Sequence, residues 1–194
     1  MSTVQDSLPV PLTYDAYLRE GEVHRRYDIL DGVRQFMTNP TRLHQEILLS
    51  IANLLRGYSR TSRAGKAYIA PCDVLIHRFP LRTRQPDVLF ISNERAAKNP
   101  PVTDPAPLDP APELVVEIIS PSGSVGVLAA KLADYQKVGV RECWIVEPER
   151  KTVELLSISD AGFDSAGIFL DSTRLISRVF PDLEIAVADV FADA

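Results

Sequence analysis

Leu43, Ile47, Leu48, Ile51, Leu54 and Leu55 recur at spacings of three and four, which places them on one stripe of an α-helix running to about Tyr58. Arg42, His44, Gln45, Glu46 and Asn53 fill its opposite face. Asn39-Pro40 stands just ahead, and the pattern predicts Asn39 as N-cap with Pro40 in the first helical position. Val125, Leu128, Leu132 and Tyr135 repeat the helical period to about Val138, with Gly139 as the stop. A third, short helix is expected over Tyr14 to Glu20, capped by Thr13.

The rest of the apolar pattern is that of strands. Asp31-Gly32 joins two short runs, Arg25 to Leu30 and Val33 to Met37, and predicts an N-terminal hairpin because Gly accepts positive φ without steric cost. Ala67 to Ile76, Pro86 to Ser92 and Leu114 to Ile119 form further strands. The last is apolar on both faces apart from Glu117, as expected of a central strand covered on both sides. Between the second and third, Pro100, Pro101, Pro105, Pro107 and Pro110 make Asn99 to Pro112 a surface loop. Val140 to Val146 and Lys151 to Ile158 pair through a turn at Glu147-Pro148-Glu149, and short strands finish the chain. Strands on both sides of a crossover helix predict an α/β fold with a mixed sheet flanked by helices.

Composition narrows the class. At 194 residues, 45% apolar and 24% charged, the chain has the size and balance of one globular domain, expected over 12–194 behind a loose polar arm at 1–11. No segment approaches the ~18 apolar residues of a membrane span, and the start lacks a secretory pattern. Cys72 and Cys143 stand far apart without a CxxC motif, so neither a disulfide framework nor a zinc site is expected, and a cytoplasmic setting follows. A net charge of −5 weighs against a binder that relies on a broadly basic surface, though it leaves room for a local basic groove.

Two carboxylates carry the candidate chemistry. Glu117 lies among Val115, Val116, Ile118 and Ile119, a run that buries it. A buried carboxylate needs either a cationic partner, in a plain ion pair with Arg or Lys, or a metal. Asp87 follows Pro86 where a strand begins, as a ligand or simply as a polar residue at a strand end. Lys131 follows on the next helix, either aimed at the same place or as a solvated helix lysine.

Tyr27-Asp28-Ile29-Leu30-Asp31-Gly32, His44, Pro71-Cys72-Asp73-Val74, Pro86-Asp87-Val88, Pro112 to Ser122, Lys131 with Tyr135, and Gly139 to Pro148 occur in one order. In that order the chain resembles the Uma-type endonuclease family of the PD-(D/E)XK nuclease superfamily, over roughly residues 10 to 160. The resemblance implies a restriction-endonuclease-like fold and hydrolysis of DNA phosphodiester bonds with Mg²⁺ or Mn²⁺. It places Asp87 as the Asp of the Pro-Asp element and Glu117 as the acid of the (D/E)XK element, both metal-binding and catalytic. Ile119 occupies the usual lysine position, and the catalytic lysine is then Lys131, with Tyr135 one turn beyond. Asp28 stands where relatives carry Glu, as a further metal ligand or a turn-flanking acid. His44 is a phosphate or outer-sphere contact or a surface histidine, and Asp73 is expected to be structural. One stretch departs from the family: Gly123 to Ala130 carries no charge where relatives have a charged segment with an Asp. That departure favours the alternative of a nuclease-fold protein that binds nucleic acid or protein without cleaving. A homodimer paired through exposed sheet ends is a third class.

Overall fold

The computed structural model describes residues 10–21, 23, 25–120, 125–192 and 194, so most of the expected N-terminal arm lies outside the described residues. Local sequence chemistry accounts for the first elements. Helix α1 (Tyr14–Glu20) starts where Thr13 Oγ1 accepts the Ala16 N–H at 3.2 Å. Strands β1 (Tyr27–Leu30) and β2 (Val33–Phe36) form the hairpin, with φ of 52° at Asp31 and 81° at Gly32. Two successive positive φ values are what a two-residue hairpin turn requires.

Helix α2 (Arg42–Ser62) begins later than expected and runs longer. Its N-cap is Thr41 rather than Asn39, because the Thr41 hydroxyl accepts the His44 N–H at 3.2 Å, and Pro40 precedes the cap. The helix continues past Tyr58 until Arg63 turns left-handed at φ 55°. Thr41→Ala should lower the unfolding free energy by about 1 kcal/mol, as loss of an N-cap does, measured as a shift in urea midpoint at unchanged slope.

The expected strand over Ala67 to Ile76 is two strands in two sheets. They are β3 (Gly65–Ile69) and β4 (Val74–Arg78), and Pro71, which has no N–H for a ladder, lies between them. Strand β5 (Leu81–Arg84), Leu-Arg-Thr-Arg, had no apolar alternation strong enough to announce it. It pairs with β4 and β1 to give a small sheet ordered β2-β1-β5-β4.

The remaining elements build the main body. They are β6 (Val88–Ser92), α3 (Asn93–Ala96), β7 (Leu114–Ile118), α4 (Val125–Lys137), β8 (Glu142–Glu147), β9 (Thr152–Ser159), β10 (Gly162–Leu170), β11 (Arg174–Ile176), β12 (Glu184–Ala186) and α5 (Val187–Val190). Six strands form a mixed sheet ordered β10-β9-β8-β7-β6-β3, in which only β7 and β8 run parallel. A parallel pair needs a crossover, and α4 supplies it. On one face of the sheet, Ile47, Leu48, Ile51 and Leu55 of α2 pack on Val88, Phe90, Val116 and Trp144. On the other, Leu132 and Tyr135 of α4 pack on Leu89, Ile91, Val115 and Ile145. This is the restriction-endonuclease-like mixed sheet flanked by helices that the sequence predicts. The proline-rich segment 99–112 contains no helix or strand, as expected, and touches the small sheet through a bridge from Leu108 to Val74. Among the described residues, no helix is long and apolar enough to cross a membrane.

Candidate active site

Strand alternation delivers Glu117. In β7, Leu114, Val116 and Ile118 face α2, while Val115 and Glu117 face α4. Lys131 and Tyr135 are four apart on α4 and share one helix face. Both reach Glu117: Lys131 Nζ lies 2.6 Å from Oε2, and the Tyr135 hydroxyl donates to Oε1 at 2.5 Å. Lys131 is buried, so it is no solvated helix lysine, and Glu117 has the cationic partner that its burial demands. Burial raises the Glu117 carboxyl pKa above its ordinary value; Lys131 opposes this and the nearby Asp87 charge adds to it. Burial works to lower the Lys131 pKa, but Glu117, Asp28 and Asp87 together more than offset it, so the ammonium stays protonated.

Asp87 stands one residue before β6. The β6–β7 ladder pairs Val88 with Val116, and the Asp87 N–H donates to Val116 O at 3.1 Å, which extends the pairing toward Glu117. Its Oδ2 accepts the Ile118 N–H at 2.7 Å. Its Oδ1 meets Arg26 Nη1 at 2.7 Å and has His44 Nε2 at 3.2 Å. Burial alone would raise this carboxyl; His44, Arg26 and the Ile118 N–H together overcome burial and hold the pKa at about 2. The structure therefore brings Asp87, Glu117 and Lys131 to one end of β6 and β7, with Tyr135, His44 and Arg26 around them.

Asp28 has a different setting. Its Oδ2 accepts from Arg84 Nη1 at 2.8 Å and its Oδ1 from the Gln85 N–H at 3.0 Å, so both oxygens are engaged in holding β1 against the segment leading to Asp87. Its charge still helps to raise the Lys131 pKa, so it belongs to the electrostatic surroundings of the site. Arg84 also grips Asp134 of α4 through Nε and Nη2, at 2.9 and 2.7 Å, and thereby ties the small sheet to the helix that carries Lys131. Asp73 accepts from the Tyr17 hydroxyl at 2.7 Å and from Gln85 Nε2 at 3.3 Å, which anchors α1.

A cleft of about 200 Å³ opens beside the pair. Glu117 and Lys131 form its charged end, and Ile118, Ile119, Ser120, Val125, Val127 and Leu128 line the rest. Val125, at 87% exposure, marks the rim, and the uncharged stretch noted in the sequence supplies it from Val125 onward, while Gly123 and Ser124 lie outside the described residues. No group of three or more His, Cys, Asp or Glu suited to a metal occurs among the described residues. Two neighbouring carboxylates nevertheless fit a hard divalent ion such as Mg²⁺, which takes one or two carboxylates and keeps several waters. Carboxylate oxygens that each accept one hydrogen bond retain a further lone pair.

Arg26, Arg84 and Glu142 escape a reading of the sequence. Arg26 is one of several arginines near the hairpin and nothing local distinguishes it. Glu142 is fully buried: its Oε1 accepts from Trp144 Nε1 at 2.7 Å, and its Oε2 accepts the Arg178 and Val179 N–H groups at 2.6 and 3.2 Å. The Glu-x-Trp spacing in a strand puts both side chains on one face and is the one signal that could have paired them.

The opposed carboxylate shifts set a pH profile. Glu117 and Asp73 are raised, so the folded state takes protons there before the unfolded chain does, and their contribution to stability rises as pH falls toward the ordinary carboxylate range. Asp87 and Asp134 are lowered, so their contribution is complete above the unfolded value of about 3.9 and is lost as pH falls toward the folded value, about 2 for Asp87. Urea midpoints across this range should pass through a maximum in mild acid and then drop steeply. A monotonic decline from pH 7 would contradict the burial of Glu117.

The fold has a solved counterpart in the crystal structure described as a putative nuclease belonging to DUF820 from Anabaena variabilis. The two superpose with a TM-score of 0.74 over 94% of this chain and 98% of that one, at 17% identity, which is a likeness of fold. No curated protein is significantly similar to the chain. The family profile of Uma2, described as "Putative restriction endonuclease", matches residues 13–188, and the chain therefore belongs to that family.

Proposed function

We propose that the chain is an endonuclease that hydrolyses DNA phosphodiester bonds with Mg²⁺ or Mn²⁺, using Asp87, Glu117 and Lys131. The observation that carries this reading is the meeting of Asp87 and Glu117 at adjacent strand ends, with the Lys131 ammonium 2.6 Å from Glu117. Asp87 and Glu117 would hold the ion, with Asp28 behind them as a fixed negative charge rather than a free ligand. When bound, the ion lowers the pKa of water and stabilises charge on the phosphate. Lys131, kept protonated by Glu117, offers its ammonium to negative charge that builds on phosphate oxygens. Tyr135 fixes the second Glu117 oxygen, so the carboxylate plane is set before substrate arrives. Two free cysteines fit a cytoplasmic setting.

A second reading, a binding module without cleavage, is favoured by the uncharged rim of the cleft and by the net charge of −5. Calorimetric titration with Mn²⁺ separates the two. The wild type should bind, and Glu117→Gln should bind at least about tenfold more weakly. Equal heats in both proteins would leave only the binding module.

A further inference from the structure

Among the described residues, Arg26 Nε and His44 Nε2 are buried nitrogens without a well-aligned hydrogen bond, and both flank the same carboxylate. His44 Nε2 is within ion-pair distance of Asp87 Oδ1, at 3.2 Å, but off the hydrogen-bond direction. Buried donors are almost always satisfied, so the unpartnered Arg26 Nε, beside a His44 that meets Asp87 only at ion-pair distance, points to an acceptor that completes the site. Both side chains also reach the surface, Arg26 at 20% and His44 at 12% exposure. Arg26 precedes β1 rather than lying in it, and among the described residues Asp87 Oδ1 and the Gln85 carbonyl, at 2.7 and 3.1 Å, hold its guanidinium. His44 sits in the first turn of α2, a turn without acidic residues, where the helix dipole favours an anion.

Charge counting gives this arrangement a direction. Asp87 and Glu117 carry two negative charges, and Arg26 and Lys131 two positive ones, so the four groups already balance. A divalent ion against Asp87 would bring two more positive charges next to the Arg26 guanidinium. That repulsion is relieved if Arg26 swings toward solvent and meets an incoming anion.

We propose that Arg26 and His44 form an oxyanion clamp for a phosphodiester. In the metal-free protein Arg26 is the counter-ion of Asp87 and His44 stands beside it; with the ion bound both turn to a non-bridging phosphate oxygen. This deepens the nuclease reading and rests on it.

The test uses the full chain and three titrations. Mn²⁺ binding is measured by calorimetry without nucleic acid. Binding of a fluorescein-labelled DNA oligonucleotide is measured by anisotropy with Ca²⁺ in place of Mn²⁺. Inorganic phosphate is then added as competitor. For Arg26→Ala the clamp predicts Mn²⁺ affinity unchanged or tighter, since a competing cation has gone. It predicts DNA binding about tenfold weaker with a salt slope shallower by about one. His44→Gln should weaken DNA binding severalfold and leave Mn²⁺ binding alone, and it serves where Arg26→Ala fails to fold. Millimolar phosphate should compete poorly with the oligonucleotide; full competition would assign the clamp to free phosphate and overturn a phosphodiester ligand. An ordinary structural ion pair predicts that Mn²⁺ and DNA binding weaken together, and that result, or unchanged DNA binding, overturns the clamp. The nuclease reading fails separately, when Glu117→Gln leaves Mn²⁺ affinity unaltered.

Discussion

Glu117→Gln is expected to cut Mn²⁺-dependent nicking of supercoiled plasmid by roughly 10²- to 10³-fold, the rate equivalent of several kcal/mol of lost charge stabilisation. Gln is the informative substitution because Glu117 is not an isolated ligand. Its carboxylate partners the buried Lys131 ammonium and the Tyr135 hydroxyl, at 2.6 and 2.5 Å. Ala would leave that ammonium without a partner, and breaking a buried pair costs about 3–5 kcal/mol, so loss of activity would be confounded with loss of fold. Gln keeps the size and one acceptor oxygen for the Lys131 ammonium, and its amide N–H can donate to the Tyr135 hydroxyl oxygen. Asp87→Asn is the parallel change: it retains an oxygen for the Ile118 N–H, 2.7 Å away, while removing the charge. Circular dichroism and urea midpoints measured beside the nicking assay separate the two causes. Wild-type nicking in either well-folded variant would remove that residue from the mechanism.

Arg84→Met should cost about 3–5 kcal/mol of stability, the range seen when one member of a buried ion network is deleted. Arg84 is 3% exposed and its guanidinium serves two carboxylates, Asp28 at 2.8 Å and Asp134 at 2.7 and 2.9 Å. Met fills similar volume, so the loss reports charge more than packing. Asp134 keeps Arg82 and Lys137 as neighbours, at 3.2 and 3.1 Å, whereas Asp28 keeps, among the described residues, the Gln85 N–H. Asp134, whose carboxyl Arg84 helps to hold below its ordinary value, binds protons more readily in the folded variant than in the wild type. Below neutrality the variant therefore regains stability relative to wild type as pH falls, and the gap narrows toward pH 4. For a domain whose total stability is on the order of 5–15 kcal/mol, the loss at pH 7 should be plain in a urea titration. A gap under about 1 kcal/mol would mean that solvent reaches this network. Because Asp134 adjoins Tyr135 and lies one turn from Lys131, the same variant should also reduce nicking.

Much of this architecture is legible residue by residue. Asp31-Gly32 announces a hairpin because its two positive φ angles suit few other pairs. The stripes on α2 and α4 show their core faces through a 3.6-residue period. Glu117 shows itself by sitting in an otherwise apolar central strand. Where expectation and structure part, the deciding chemistry is weak or distant. Asn39 and Thr41 are both able caps two residues apart, and only the backbone path places the Thr41 hydroxyl on the His44 N–H. Pro71 interrupts Ala67 to Ile76, but nothing nearby says that its two halves join different sheets. Strand β5 carries two arginines in four residues, tolerable in a sheet because Asp31, Asp28 and Asp134 come from elsewhere to meet them.

The amino-acid order alone determines the hairpin turn, the helix faces and the burial of one carboxylate, since each depends on atoms within a few residues along the backbone. Tertiary structure decides which cation answers which acid. Arg26 meets Asp87 across 61 residues, Arg84 meets Asp28 across 56, and His44 faces Asp87 from another helix. The reason is physical: an ionic contact depends on distance in space, and a chain of side chains specifies that distance only after its sheets have closed.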